Sequence, residues 1–223
     1  MNDGFAKDGI RYELLSEKTL EGAITCVSHS FIQNEPMATH LGITVDEFLH
    51  FATAFYPTLI EPGLSFVAVD EEKDVVVGVR ISEDFYREIE ESPEIPGLSP
   101  KFFPLFTLLG ELGASFKKTH EWQPNHYVHM LMVAVEDGYQ GRGIAPNMNK
   151  MFFRHVKAQG FTHAITEPTG LISQHILQNK FGFKALHEIK YVDFVFEGTR
   201  PFADLSEHPS AMLMEKDLSE IDT

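Results

Sequence analysis

Residues 127–145 read YVHMLMVAVEDGYQGRGIA, and the fold turns on this stretch. Positions 127–136 form an almost unbroken apolar run, as expected of a strand buried on both faces. A turn holding Gly138, Gly141 and Gly143 follows. A helix is then predicted over about 146–159: Met148, Met151, Phe152 and Val156 share one face, and Pro146 suits the first turn. Successive N–H groups in such a turn point into one concavity, and the helix start adds unpaired donors and the positive end of its dipole. The product is a seat for a phosphate or pyrophosphate. Gly141 and Gly143 let a ligand approach the backbone, and Arg142 adds charge at the rim. A mobile glycine turn ahead of a helix is the plainer alternative.

Outward from this turn, the chain alternates strands and helices. Residues 10–16 read as a strand. From Thr19, the spacing of Leu20, Ala23, Ile24, Val27 and Phe31 is helical. Asn34-Glu35-Pro36 breaks that helix, because a residue before proline is pushed out of the α region. Thr44 and Glu47 form a capping box for a second helix carrying Phe48, Phe51, Ala52, Phe55 and Leu59, ended near Pro57 or Pro62. Residues 64–70 and 75–82 read as a hairpin. Beyond the glycine turn come a strand over 162–166, a helix over about 170–181 stopped by Gly182, and strands over 183–196 and 211–215. Mixed α/β order with at least one parallel crossover follows. Residues 84–124 interrupt the pattern with Pro93, Pro96, Pro100 and Pro104 and an apolar stretch. A helix packed on the sheet and a lid over an acceptor site are both open for this insertion.

Composition narrows the functions. The 223 residues carry 18 Lys+Arg against 33 Asp+Glu, a net charge of −15, which argues against a nucleic-acid partner. No window reaches the ~18 apolar residues of a membrane span, and residues 1–10 lack a signal-peptide core. Cys26 is the only cysteine, which excludes an internal disulfide and a multi-cysteine metal site and suits a reducing, cytoplasmic setting. Histidines are scattered without metal-ligand spacing, so no metal is expected. Neither a Walker-type nor a dinucleotide-type glycine motif is present, and no Gly-x-Ser-x-Gly elbow appears.

What does stand behind the strand is Gln140-x-x-Gly143-x-Ala145. This resembles the Gln/Arg-x-x-Gly-x-Gly/Ala signature of the GCN5-related N-acetyltransferase superfamily, with the order of elements before and after it also matching. The resemblance implies one domain over 1–223. Its sheet would be mixed and mostly antiparallel, of about six to seven strands, with helices on both faces and a splayed central pair. It implies acetyl-CoA as co-substrate. The backbone of Met132, Val133, Ala134 and Val135 would meet the pantetheine, and one of these N–H groups would polarise the thioester carbonyl. The N–H groups of Gln140, Gly141, Arg142, Gly143, Ile144 and Ala145 would meet the pyrophosphate.

An alkyl amine is protonated at neutral pH and needs a base before it can attack. Phe31-Ile-Gln-Asn-Glu35-Pro36 resembles the Phe-x-x-x-Glu-Pro of the insect-type arylalkylamine N-acetyltransferases, where the glutamate is the proposed base; a solvated loop carboxylate is the bland alternative. Tyr191-Val-Asp193-Phe resembles that group's Tyr-x-Asp-Tyr strand. His129 matches the first position of the His-x-His pair of the vertebrate-type enzymes, but Leu131 stands at the second, and a satisfied core histidine explains it as well. The superfamily's acidic tyrosine is replaced by Gln178. Thr169 and Ser173 resemble paired hydroxyls near the cofactor sulfur in the insect-type enzymes, although Thr169 also sits where a helix N-cap belongs.

The expected function is transfer of acetyl from acetyl-CoA to a small primary amine, arylalkylamine-like, by a monomer or homodimer. Phe102, Phe103, Phe106, Phe116 and Trp122 would wall the acceptor pocket, although core packing explains many of these aromatics equally well. The alternatives are peptide, polyamine or aminoglycoside acceptors, and a non-catalytic acyl-CoA-binding module.

Overall fold

A computed structural model describes residues 5–86, 94–120 and 123–221. The chain opens with strands β1 (Phe5–Lys7) and β2 (Ile10–Leu14). Helix α1 (Glu17–Asn34) starts two residues before Thr19, because Ser16 caps it and its N–H donates to Thr19 Oγ1 at 3.1 Å. The break at Pro36 begins a short helix that periodicity misses, α2 (Pro36–His40), with proline at its first position. Helix α3 (Val45–Phe55) rests on the Thr44–Glu47 box: the Thr44 N–H donates to Glu47 Oε2 at 2.7 Å, and the Glu47 N–H to Thr44 Oγ1 at 3.2 Å. The predicted hairpin is β3 (Phe66–Asp70) with β4 (Val75–Asp84). Then follow α4 (Phe102–Thr119), β5 (Tyr127–Val135), α5 (Ile144–Ala158), β6 (His163–Thr166), α6 (Leu171–Phe181), β7 (Lys184–Lys190) and β8 (Ser210–Asp217).

The eight strands of the described residues join one sheet in the order β1-β2-β3-β4-β5-β6-β8-β7, antiparallel except for the β5–β6 pair. The count exceeds six to seven because residues 5–7 pair with β2 as an added edge. Helices cover both faces. One core holds the apolar sides of α1, α3 and α4, and the other is built on α5.

Two further boundaries differ from expectation. Helix α5 begins at Ile144, not Pro146, because Gly143 takes a left-handed conformation (φ 75°) and turns the chain into the helix early. Proline is tolerated at its third position, where the N–H would be unpaired anyway. The strand predicted over 183–196 ends at Lys190. Beyond it Tyr191 and Phe194 turn inward onto Phe202, with ring centroids at 5.6 and 5.7 Å, so the Tyr191-Val-Asp193-Phe segment is a turn rather than a strand.

The insertion contributes α4, whose Phe102, Leu105, Leu108, Leu112 and Phe116 are at most 4% exposed. That is a helix packed on the sheet. Phe102 and Phe116 are core residues, not pocket walls, whereas Phe103 is exposed; Trp122, Pro93 and Glu90-Glu91, a pair whose sequence reads as solvated surface, lie outside the described residues. Among the described residues no helix is long and apolar enough to cross a membrane, and no cluster could hold a metal ion.

Candidate active site

Strands β5 and β6 share only three rungs, Tyr127–His163, Val128–Ala164 and His129–Ile165. The Thr166 hydroxyl then donates to the Met130 carbonyl at 2.8 Å, and past that point the two strands part. Strand β5 continues along β4 as far as Val135. The chain after β6 instead follows β8, where the Met212 N–H donates to the Pro168 carbonyl at 3.2 Å. A register shift explains the divergence: Ile81 pairs with Met132 and Ser82 with Met130, so Leu131 is an extra residue, a bulge that bends β5 away. Val133 on the departing segment is 48% exposed, which corrects the expectation of a strand buried on both faces. The backbone of Met132 to Val135 therefore lines a V-shaped gap.

At the end of β5 the glycine turn is braced from within. The Gly138 N–H donates to Gln140 Oε1 at 3.0 Å, and Gln140 Nε2 donates to Asp137 Oδ1 at 2.6 Å. Gln140 thus closes the turn with its side chain. Gly138, Gly141 and Gly143 all have positive φ, which aims the intervening amides to one side. Among the described residues, the N–H groups of Gln140, Gly141, Arg142, Gly143, Ile144 and Ala145 have no protein acceptor. Arg142 lies over the Tyr139 ring at 5.0 Å, and the Tyr139 hydroxyl donates to Asp70 at 2.7 Å, so the cation is held at the rim.

The α1–α2 turn spans the open end of the gap. On the β5 side, the Ser30 hydroxyl donates to the Val135 carbonyl at 3.3 Å. On the other side, Pro36 packs on the backbone at Gly170, where an added Cβ would lie 3.3 Å from its ring. Between these anchors sits Glu35, only 7% exposed. One carboxylate oxygen accepts from the Ala38 N–H, and the other is buried without a partner. Burial pushes its pKa up, partly opposed by the Ala38 N–H, the Thr169 hydroxyl and the Met37 N–H. Thr169 is not the N-cap expected of it. Gly170 takes that place, and Thr169 faces Glu35. Ser173 is exposed on the first turn of α6 and donates to the Gly170 carbonyl at 2.8 Å, so it is not brought to Glu35. The Tyr191 hydroxyl, whose pKa is raised by burial and by Glu35, donates to the Thr169 carbonyl at 2.6 Å.

His129 sits at the last rung before the strands part, between two carboxylates that sequence reading missed. Its Nε2 is 2.6 Å from Glu167 and its Nδ1 3.6 Å from Glu83. Burial favours the neutral ring, but Glu167 and Glu83 outweigh it and push the pKa up to about 10. A protonated imidazole is no base at neutral pH. Cys26, pushed up to about 12 by burial and by Glu136, is likewise no thiolate. A cavity of about 580 Å³ between α4, β7 and the chain after β7 is lined by Glu111, Glu188 and Asp193, and shares no residue with the gap.

Solved structures share this fold. The chain superposes on the C-terminal condensation domain of Ebony in complex with beta-alanyl-dopamine with a TM-score of 0.81, at 20% identity over 93% of this chain and 98% of that one. Against arylalkylamine N-acetyltransferase 2 from Aedes aegypti the TM-score is 0.76, at 21% identity over 95% and 100%. The fold is that of the GCN5-related N-acetyltransferases. A polyamine N-acetyltransferase from Drosophila melanogaster shares this GCN5-related fold with a TM-score of 0.71, at 15% identity over 93% and 99% of the two chains. No protein-family model matches the sequence. The residues expected to meet the cofactor at 132–135 and 140–145 lie on the departing end of β5 and on the turn that leads into α5.

Proposed function

We propose that the protein is an acetyl-CoA-dependent N-acetyltransferase acting directly on a small primary amine, with Glu35 as general base. One observation carries the reading: a buried carboxylate oxygen without a partner at the open end of a gap between parted parallel strands. Burying such an oxygen is unfavourable unless it has a use. The raised pKa suits the use, since it brings the group closer to the operating pH of a base.

The residues present fit acetyl-CoA. The unpaired amides of 140–145 would hold its pyrophosphate, and the backbone of Met132, Val133, Ala134 and Val135 would hold its pantetheine. When bound, it supplies an activated acetyl thioester. Glu35 takes the proton of the amine, Thr169 donates to the resulting network, and Tyr191 holds the Thr169 carbonyl. His129, already protonated and held between Glu83 and Glu167, keeps the last β5–β6 rung in place rather than acting as base. Ser173 would have to leave the Gly170 carbonyl before it could bond a water at the gap.

An amine with an apolar body is the favoured acceptor. Elements framing Glu35 expose Leu171 (46%), Ile172 (74%) and Val192 (50%). Similar folds bind beta-alanyl-dopamine and belong to an arylalkylamine N-acetyltransferase. A thiol-release assay with acetyl-CoA and arylalkylamines, polyamines, aminoglycosides and short peptides tests this. Release dependent on arylalkylamines supports it; release with another class reassigns the acceptor. CoA binding without release in any mixture points to a non-catalytic module.

A further inference from the structure

The proposed chemistry leaves one buried charge unused. Arg80, in the middle of β4, is 3% exposed. Alternation puts Gly78 and Arg80 on the face covered by α5. Gly78 lies so close that an added Cβ would come within 2.8 Å of Ile144, the first residue of α5. The Arg80 guanidinium reaches Asn149 on the same helix, donating from Nη2 at 2.5 Å, and lies 5.7 Å from the Phe152 ring centre. Its Nε is buried without a partner. Among the described residues no carboxylate pairs with it.

A buried guanidinium without a counter-ion is unfavourable for folding. Burial lowers its pKa to about 9, which still leaves it charged at neutral pH. The positive end of the α5 dipole adds to the same potential instead of offsetting it. What lies near is the glycine turn. Gly78, two residues along β4, stands about 7 Å from Arg80 and touches the helix start. Asn149 is five residues beyond Ile144, about 7.5 Å along the axis. The guanidinium is therefore on the order of 10 Å from the open amides of 140–145, behind α5 and out of solvent. Across that distance, at an interior effective dielectric near 20, a unit charge strengthens the binding of an anion about tenfold.

We propose that Arg80 is an affinity residue for the anionic part of the cofactor: a guanidinium stored behind α5 whose uncompensated charge attracts a pyrophosphate on the 140–145 turn without touching it. This rests on the reading of that turn as the CoA site. The folded protein without ligand carries the unfavourable charge, and binding relieves it.

The test is calorimetric titration of CoA, dephospho-CoA and pantetheine into the wild type and Arg80→Met, with thermal unfolding of both proteins without ligand. The expected result is an unfolding midpoint equal to or above wild type. Affinity for CoA and dephospho-CoA should fall about tenfold, and affinity for uncharged pantetheine should stay unchanged. Arg80→Gln, which keeps a hydrogen-bonding group for Asn149, carries the same expectation. Wild-type affinity for CoA in a folded variant overturns the proposal, as does an equal loss for CoA and pantetheine, which would mark a packing role. Failure of both variants to fold also overturns it, because the charge would then supply stability. A wild type that binds no CoA refutes the reading of the turn itself, a separate outcome.

Discussion

The Tyr191 hydroxyl donates to the carbonyl of Thr169 at 2.6 Å, tying the turn after β7 to the segment between β6 and α6. Through that bond a residue far along the chain sets where the Thr169 hydroxyl stands against Glu35. Tyr191→Phe removes the donor and leaves a buried carbonyl unpaired. Turnover is expected to fall about five- to tenfold, with acetyl-CoA affinity unchanged. Because the Thr169 contact lowers the Glu35 pKa, loosening it should move the acid limb of the pH–rate profile to higher pH. A lower rate with an unmoved limb would leave Tyr191 a purely structural role.

Glu35 sets activity against stability. Its folded pKa lies above the unfolded value, so its contribution is fully present below the unfolded carboxylate pKa and lost as pH rises through the folded one. Glu35→Gln escapes this loss. Its Tm is expected to exceed that of the wild type at neutral pH, and the gap should close as pH falls to ~4. Calorimetric scans at pH values across that range check the sign.

The Glu83–His129–Glu167 group makes the opposite prediction. The folded His129 pKa, pushed up to about 10, exceeds that of free histidine. Its stabilisation is therefore full below pH ~6.5 and lost as pH rises through that higher value. Removing the cation in His129→Leu takes the imidazolium away from the buried Glu167 carboxylate and should destabilise the protein by ~3 kcal/mol at neutral pH. Denaturant titration measures the loss, and nitrogen-15 NMR of the wild type should show a doubly protonated ring at pH 8. A neutral ring there would return His129 to the list of bases.

Much of the architecture was legible because it rests on local chemistry. The apolar strand at 127–135, the glycine turn and the capping box at Thr44 and Glu47 speak directly in sequence. What sequence could not show comes from long-range geometry. Leu131 looks like any apolar strand residue, and only its partner strand reveals the bulge. Glu167 and Glu83 have no spacing that links them to His129; three strands bring them together. Thr169 reads as a cap until Gly170 takes that place and leaves the Thr169 hydroxyl near enough to Glu35 to lower its pKa. Arg80 is a lone cation in a β-rich run, and its missing counter-ion is visible only once α5 is packed over it.

The phosphate turn is tested by its last glycine. Gly143 has φ 75°, a conformation a β-branched residue strongly resists, and it caps α5. Gly143→Val should redirect the amides of 140–145 and lower CoA affinity by ~100-fold or more, with the rest of the fold retained by far-ultraviolet circular dichroism. Unchanged affinity would remove the turn from the cofactor site.

The most direct measurement is the turnover of Glu35→Gln beside the wild type, on the best amine found, with acetyl-CoA affinity determined for both proteins. Glutamine keeps the shape of the carboxylate and cannot take the proton. A fall in turnover of ~10²-fold at unchanged acetyl-CoA affinity is the predicted result. Wild-type turnover in the variant would contradict it and leave the unpartnered oxygen of Glu35 without a role in the chemistry.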